Sequence, residues 1–314
     1  MNAFSMEVDR QLTAAFGDRV RHVAPLAPLT TFKVGGNADW LIDVKSEDEL
    51  RTALAIARGG GQQVTILGGG SNVLVSDTGV RGLVIRVKPM EISQPSPSRV
   101  RADAGLTING LVRWTIGRGL SGLEAWAGTP GTVGGAIYGN AHYGGRNIGD
   151  LVASARIVTP EGKAHTVPAR EMEFGYDSSR LQRTREVLIW AEFNTGTGDA
   201  DALRAVARGS LAHRKNTQPL ETPSAGCIFQ NPDPARDTVP EGIPPSAGAL
   251  VDRAGMKGSR LGAAKVSDTH ANFIVNEGGA NAADIRELVE RCKRAVREQF
   301  GVALREEIVY LGEF

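Results

Sequence analysis

Residues 64–77 read VTILGGGSNVLVSD. Val64 to Leu67 form a short apolar run, the pattern of a buried strand. The run ends in three glycines, Gly68, Gly69 and Gly70, followed by Ser71 and Asn72. Consecutive glycines expose peptide N–H groups with no side chain in the way, which suits a pyrophosphate. The spacing is not G-x-G-x-x-G and no helix signal follows, which disfavours a Rossmann turn. No Lys-Ser/Thr pair follows either, so it is not a Walker loop. A tight turn between two strands accounts for the same letters.

A second glycine-rich stretch, GLEAWAGTPGTVGGAIYGN, covers residues 122–140. It places Gly128, Gly131, Gly134 and Gly135 beside the neutral donors Thr129, Thr132 and Asn140. The chain has 39 glycines in 314 residues, well above the ordinary share of ~7%, and they come in local groups. Two such loops without a lysine fit a large neutral cradle for a dinucleotide. Two unrelated turns are the plainer account.

The surrounding chain is α+β. SEDELRTALAIAR (46–58) reads as a helix with Ser46 as N-cap and Glu49 three residues on, a capping box. LTINGLVRWTIGRGL reads as a helix ending at Gly119. ARIVTPEGKAHTV reads as a hairpin turning at Pro160 to Gly162. From about residue 200 the texture changes to helix, a loop rich in Pro and Gly, a short helix over ALVDRAGMKG, and a strand in ANFIVN. A long helix over NAADIRELVERCKRAVREQFG follows, with Ile285, Leu288, Val289, Cys292, Val296 and Phe300 on one face. EEIVYL reads as the last strand. The expected partition is a segment 1–29, a domain 30–200 in two parts (about 30–88 and 89–200), and a domain 201–314.

Composition excludes several classes. Net charge is +1 and there is no basic block, so no nucleic-acid footprint is expected. No apolar run is long enough to insert in a membrane, and the first residues lack the apolar core of a signal peptide. Only Cys227 and Cys292 are present. A disulfide framework is therefore not expected, and a reducing cytoplasm fits. No Cys/His spacing suits a metal. Cys227, in PSAGCIFQNP, reads as core filler or as a group that moves a proton. Cys292 reads as core.

Taken in order, TTFKVGGNADW, ILGGGSNVLVSD, GLEAWAGTPGTVGGAIYGNA, SAGCIFQNP, SAGALVDRAGMKG and HANFIVN resemble the UDP-N-acetylenolpyruvoylglucosamine reductase (MurB) family, from about Thr30 to Gly312. The resemblance implies an FAD-binding fold of the vanillyl-alcohol-oxidase (PCMH) type with two subdomains, followed by a C-terminal α/β substrate domain. It implies FAD and NADPH as cofactors, and reduction of UDP-N-acetylenolpyruvoylglucosamine to UDP-N-acetylmuramate in cytoplasmic peptidoglycan synthesis. The partner implied is a UDP-sugar; no protein partner is. The chain has no room for an extra substrate-clamping insertion and is similar to the compact subtype.

The resemblance also assigns residues. Such a reduction needs a hydride at one carbon and a proton at its neighbour, with donors facing the enolate charge. Cys227 stands where the family carries a proton-donating serine, and Glu307 matches the glutamate that assists. Where the family has Tyr-Arg-x-Ser, this chain has FGYDSSRLQ (174–182): Tyr176 and Ser179 match, but Asp177 takes the arginine position. Arg180 is the expected substitute, reaching the same place if the segment forms a helical turn and not if it is extended. Asn231, Gln218, Lys257 and Tyr176 are the implied substrate contacts. His270 and Asn272 line the cleft, with His270 read as a structural hydrogen-bonder. Two other readings stay open: a flavin-binding paralogue without this activity, and another flavin oxidoreductase of the same fold.

Overall fold

The computed structural model describes residues 3–314. They form two compact units.

The first unit takes the chain up to Ala24, Ala38–Gly69 and Arg81–His213. It contains helices α1 (Ala3–Phe16), α2 (Glu47–Gly59), α3 (Ile108–Ile116), α4 (Val133–Tyr138) and α5 (Arg180–Thr184), and most of α6 (Ala200–Thr217). A four-stranded sheet runs in the order Arg21–Pro25, Asn37–Val44, Val80–Val87, Val64–Ile66. The strand read from the opening motif pairs parallel with its neighbour, Val64 to Leu83 through Ile66 to Ile85, but it is not the expected buried strand: it lies at the sheet edge, ends at Ile66 and leaves that side chain 39% exposed. Helix α2 forms as its sequence predicts. Ser46 accepts from the Glu49 N–H at 3.1 Å, and Leu50, Ala53, Leu54 and Ala57 make one buried face. The Glu49 carboxylate takes the N–H of Lys45 rather than that of Ser46. That face packs with Leu12, Trp40, Ile42 and Leu83 in one core.

The second sheet of this unit has five strands, all antiparallel neighbours: Ala164–Pro168, Val152–Val158, Val187–Asn194, Arg99–Asp103 and Ile92–Ser96. The hairpin expected around Pro160 to Gly162 joins the first two. A separate core forms around it, including Leu111, Trp126, Ile137, Ile157 and Phe193. Helix α3 stops at Ile116 with Gly117 as its cap, short of the expected Gly119.

The second unit gathers three segments: Pro25–Asn37, Gly70–Val80 and Arg214–Phe314. Its helices are α7 (Ala247–Arg253) and α8 (Ala282–Phe300). A three-stranded antiparallel sheet orders Arg260–Leu261, Ala264–Val266 and Ile274–Asn276. Val309–Leu311 pairs parallel with Val73–Val75. The core combines Phe32, Val34 and Leu74 with Ile228, Phe229 and the buried face of α8, where Ile285, Leu288, Val289, Cys292 and Val296 lie as the periodicity predicts. The N-terminus of α8 is capped twice: Asn281 accepts from Asp284 N–H, and the Asp77 carboxylate accepts from Ala282 and Ala283 at 2.8 and 3.0 Å. These units differ from the contiguous partition drawn from the sequence. Two early segments carry Phe32, Val34 and Leu74, and burying those side chains takes their backbone with them.

Candidate active site

The two glycine loops meet within the first unit. A Cβ placed on Gly69 would stand 2.6 Å from the Gly131 Cα, and one on Gly68 would stand 2.9 Å from the Thr132 hydroxyl. Only glycine permits that backbone approach at residue 69. Thr107 and Thr132 form a bridge that ties the second loop to the start of α3, and Ile108 N–H donates to the Gly131 carbonyl at 3.1 Å. The Asn109 carboxamide holds the loop from the other side, accepting from Gly128 N–H at 2.7 Å and donating to the Thr129 carbonyl at 3.3 Å. Thr132 then caps α4 by accepting from Gly135 N–H, and Gly134 packs against Ala104. Gly68, Gly69 and Gly135 stay exposed, and Thr129 and Thr132 are half-buried. The result is an open, side-chain-free surface edged by hydroxyls, with no lysine or arginine on either loop. Neutral backbone and hydroxyl donors at that density fit a diphosphate-bearing cofactor such as FAD. Asn140, expected among those donors, sits with a backbone φ of +45° and is buried. Its carboxamide accepts from Gly149 N–H at 2.9 Å and donates to the Gly175 carbonyl at 2.7 Å, bolting the exit of α4.

In the second unit, Gly70, Ser71 and Asn72 lead into the strand Val73–Val75. A Cβ on Gly70 would meet the Leu29 carbonyl oxygen at 2.2 Å, and its φ is +64°. Asn72, another expected cofactor contact, holds the C-terminal strand. Its Nδ2 donates to the Glu307 carbonyl at 3.1 Å, and its own carbonyl accepts from Val309 N–H at 2.9 Å.

The same unit pairs the backbone that follows Cys227 with the backbone around Glu307. Ser224 bridges to Val275, and Phe229 bridges to Glu306. Glu307 N–H donates to the Ile228 carbonyl at 2.8 Å, and Gln230 N–H donates to that of Arg305 at 2.9 Å. Cys227 is therefore one residue from the backbone partner of Glu307, and it is partly exposed. Asn272 clamps the stretch: its side chain accepts from Phe229 N–H at 2.9 Å and donates to the Phe229 carbonyl at 2.8 Å. Of the adjacent glutamates, Glu306 bonds Lys293 on α8 at 2.8 Å. Arg305 forks onto Asp237 and holds that carboxyl below the ordinary range.

The expected substrate contacts are spread over both units. Asn231 accepts from Ala247 N–H at the start of α7. Gln218 N–H donates to the Arg214 carbonyl at the end of α6. Lys257 pairs with Asp252 at 3.2 Å. Burial, then the nearby Lys257 charge, push His270 below its ordinary pKa, and its Nδ1 accepts from Asn272 N–H. That bond is of the kind expected of a structural hydrogen-bonder.

The segment 174–186 lies in the first unit. Tyr176 is half-exposed. Asp177 has φ of +50° and lies in a turn closed by paired Gly175 and Ser178 backbone bonds. Ser179 is the N-cap of α5, so Asp177 precedes the helix and shares no helical face with Arg180. Arg180 forks onto Glu186 at 2.8 and 2.9 Å and donates to the Glu171 carbonyl. The structure thus places Arg180 in a structural ion pair and does not bring it to Asp177. The partner of Asp177 is His142, 2.9 Å away.

An FAD binding domain family model matches residues 38–168. A model for the C-terminal domain of UDP-N-acetylenolpyruvoylglucosamine reductase matches residues 218–311. The reductase of Geotalea uraniireducens is 38% identical over 304 residues, covering 96% of this chain and 97% of that protein. That of Bacillus subtilis is 36% identical, covering 92% of each. The crystal structure of the enzyme from Thermus caldophilus superposes with a TM-score of 0.78 at 33% identity, covering 94% of this chain and 99% of that one. The chain belongs to the UDP-N-acetylenolpyruvoylglucosamine reductase family. The glycine cradle lies largely within the FAD-matching region of this reductase, and Cys227 and Glu307 lie within its C-terminal match. Sequence reasoning passed over Thr107, Asn109 and His142, and gave Asn272 no task. Thr107 and Asn109 carried a local signal, since both sit at the start of a recognisable helix. His142 carried none, because its partner lies 35 residues away.

Proposed function

We propose that this chain catalyses the NADPH-dependent reduction of UDP-N-acetylenolpyruvoylglucosamine to UDP-N-acetylmuramate, with Cys227 as proton donor and Glu307 beside it. The net change adds a hydride to one carbon of the enol ether and a proton to its neighbour. FAD, when bound on the cradle, carries the hydride from NADPH. The chain's own part is to bind, orient and protonate. A thiol with an ordinary pKa near ~8.5 is mostly protonated at neutral pH and is a stronger acid than the serine hydroxyl it replaces. Glu307 sits on the adjacent backbone, where its carboxyl group, when protonated, can return a proton to the sulfur or donate a hydrogen bond to the enolate form of the substrate.

The observation that carries this reading is the backbone pairing of Ile228 with Glu307, which sets both candidate proton-handling residues on neighbouring segments. The product is a precursor of peptidoglycan, and a soluble reductant and nucleotide sugar suit the cytoplasm. No helix among the described residues is long and apolar enough to cross a membrane.

The test is turnover followed as NADPH oxidation. Cys227→Ala should lower product formation ~100-fold or more, the usual size of a general-acid effect, while NADPH still bleaches the flavin in a single turnover. Cys227→Ser should keep substantial activity. Full activity in the alanine variant would remove Cys227 from the reaction.

A further inference from the structure

We propose that Lys293 of α8 is a positioning residue for the protonation step: through Glu306 it holds the backbone pairing that carries Cys227 and Glu307. The inference rests on the function proposed above.

That pairing is short. One bridge joins Phe229 to Glu306, and two hydrogen bonds flank it, from Glu307 N–H to the Ile228 carbonyl and from Gln230 N–H to the Arg305 carbonyl. Neither segment belongs to a regular strand. Two hydrogen bonds between irregular segments are a weak hold, since each exchanges against water for a small net gain. A proton donor needs a stronger one, because a displacement of about 1 Å at a reacting group can slow a step about 100-fold.

Helix α8 supplies it from the side. Lys293 Nζ donates to Glu306 Oε1 at 2.8 Å, and the Arg286 guanidinium lies 3.8 Å from Glu306 Oε2. The Glu306 side chain is only 19% exposed. Arg286, Glu290 and Lys293 lie on successive turns of one helix face, with Glu290 3.2 Å from the arginine and 3.1 Å from the lysine. The Glu306 carboxylate therefore bridges two cations that are themselves spaced by an anion. Arg286 also lies over the Tyr310 ring, 4.2 Å from its centroid. Tyr310 belongs to Val309–Leu311, the strand that pairs with Val73–Val75, so the stretch is gripped by α8 on both sides of Glu307. Burial alone would lower the Lys293 pKa; Glu306 and then Glu290 outweigh it and hold the ammonium above its ordinary value.

These ion pairs are not what docks the helix. Ile285, Leu288, Val289, Cys292 and Val296 are fully buried on its other face. Burying them contributes far more than partly exposed ion pairs do. Apolar burial is non-directional, however, and does not by itself fix where a neighbouring segment sits along the helix. A charge-assisted hydrogen bond has a defined length and direction. The polar face of α8 thus fixes Glu306, and with it the backbone of Glu307 and of the residues just after Cys227.

The test separates the two halves of the cycle in the FAD-loaded protein. Lys293→Met removes the charge and keeps the stem. Reduction of the flavin by NADPH should stay at the wild-type rate. Reoxidation by UDP-N-acetylenolpyruvoylglucosamine should slow about tenfold or more, with a larger solvent deuterium isotope effect and KM changed by less than about twofold. Lys293→Arg should restore most of the rate. Glu306→Gln should lose about as much as Lys293→Met, and the double variant no more than either, as expected of groups that act together. Amide exchange at Glu307 and Gln230 should speed up in both single variants. Wild-type reoxidation in Lys293→Met would overturn the inference. So would equal losses in both halves that follow a lower melting temperature or flavin content with the isotope effect unchanged, the mark of a purely structural role. Wild-type protein whose reduced flavin is not reoxidised by the UDP-sugar would instead sink the proposed function, and amide exchange would then still show whether α8 holds this pairing.

Discussion

The two cysteines show how one residue type meets two different surroundings. Cys292 lies on the buried face of α8, and burial pushes its thiol up to about 12. Cys227 follows a glycine turn, is partly exposed, and stands next to the pairing partner of Glu307. Iodoacetamide near neutral pH should therefore modify Cys227 in the folded protein and leave Cys292 untouched until the chain is unfolded, since Cys227 is accessible and Cys292 is buried with its thiol pushed up. Peptide mapping by mass spectrometry reads this directly, and early modification of Cys292 would contradict its burial. At this scale the sequence was legible through its motifs: Cys227 and Glu307 were singled out by what the resemblance of SAGCIFQNP and LREEIVYLG to the family implies, and not by their immediate neighbours. Arg180 could not be placed the same way. Its choice between Asp177 and Glu186 depends on how residues 175–179 turn, and a left-handed Asp177 before an N-cap has no strong sequence signature.

Elements with a strong apolar period were read with little error. Helices α2 and α8 and the hairpin at Pro160 to Gly162 lie where the pattern put them, while α7 starts two residues before ALVDRAGMKG and stops at Arg253, short of its glycines. Helix α4 was missed, since VGGAIY carries two glycines, which weigh against a helix in isolation. Here Thr132 caps it, and close packing of Gly134 on Ala104 repays the weak propensity. That contact is tertiary and invisible in a window of the chain. The loop leading to it makes a sharp prediction. Gly69→Ala would push a methyl to 2.6 Å from the Gly131 Cα, closer than backbone can tolerate. The variant should lose FAD affinity tenfold or more, on the order of 1.4 kcal/mol, measured as flavin retained after desalting and by fluorescence titration. Retention at the wild-type level would mean the two loops do not need their close approach.

For the molecule as a whole, the division into units decides what can stand alone. Residues 214–314 hold most of the second unit, but its core also takes Phe32, Val34 and Leu74, and its last strand pairs with Val73–Val75. Asp77 also supplies two of the bonds that cap α8. A fragment 214–314 made alone should therefore lack a cooperative thermal transition, because small units leave little margin for a missing part of the core. Circular dichroism against temperature tests this, and a sharp transition in the fragment would show that the early segments are accessory. The fold class was legible from the sequence, but this interleaving was not, because burial of three side chains from short early segments leaves no mark on composition.

The pairing of Asn72 with the strand after Glu307 also sets an order of events during synthesis. Glu307 leaves the ribosome 235 residues after Asn72. The first unit can begin to close while most of the second is still unmade, as domains do when the chain emerges from its N-terminus. Residues 70–80 then wait, with Leu74 uncovered, until the segments that cover it, as far as Val309–Leu311, have been translated. The strand Val309–Leu311 is thus a late clasp, and a nascent chain has no means of holding Glu307 against Asn72 before that strand has been made.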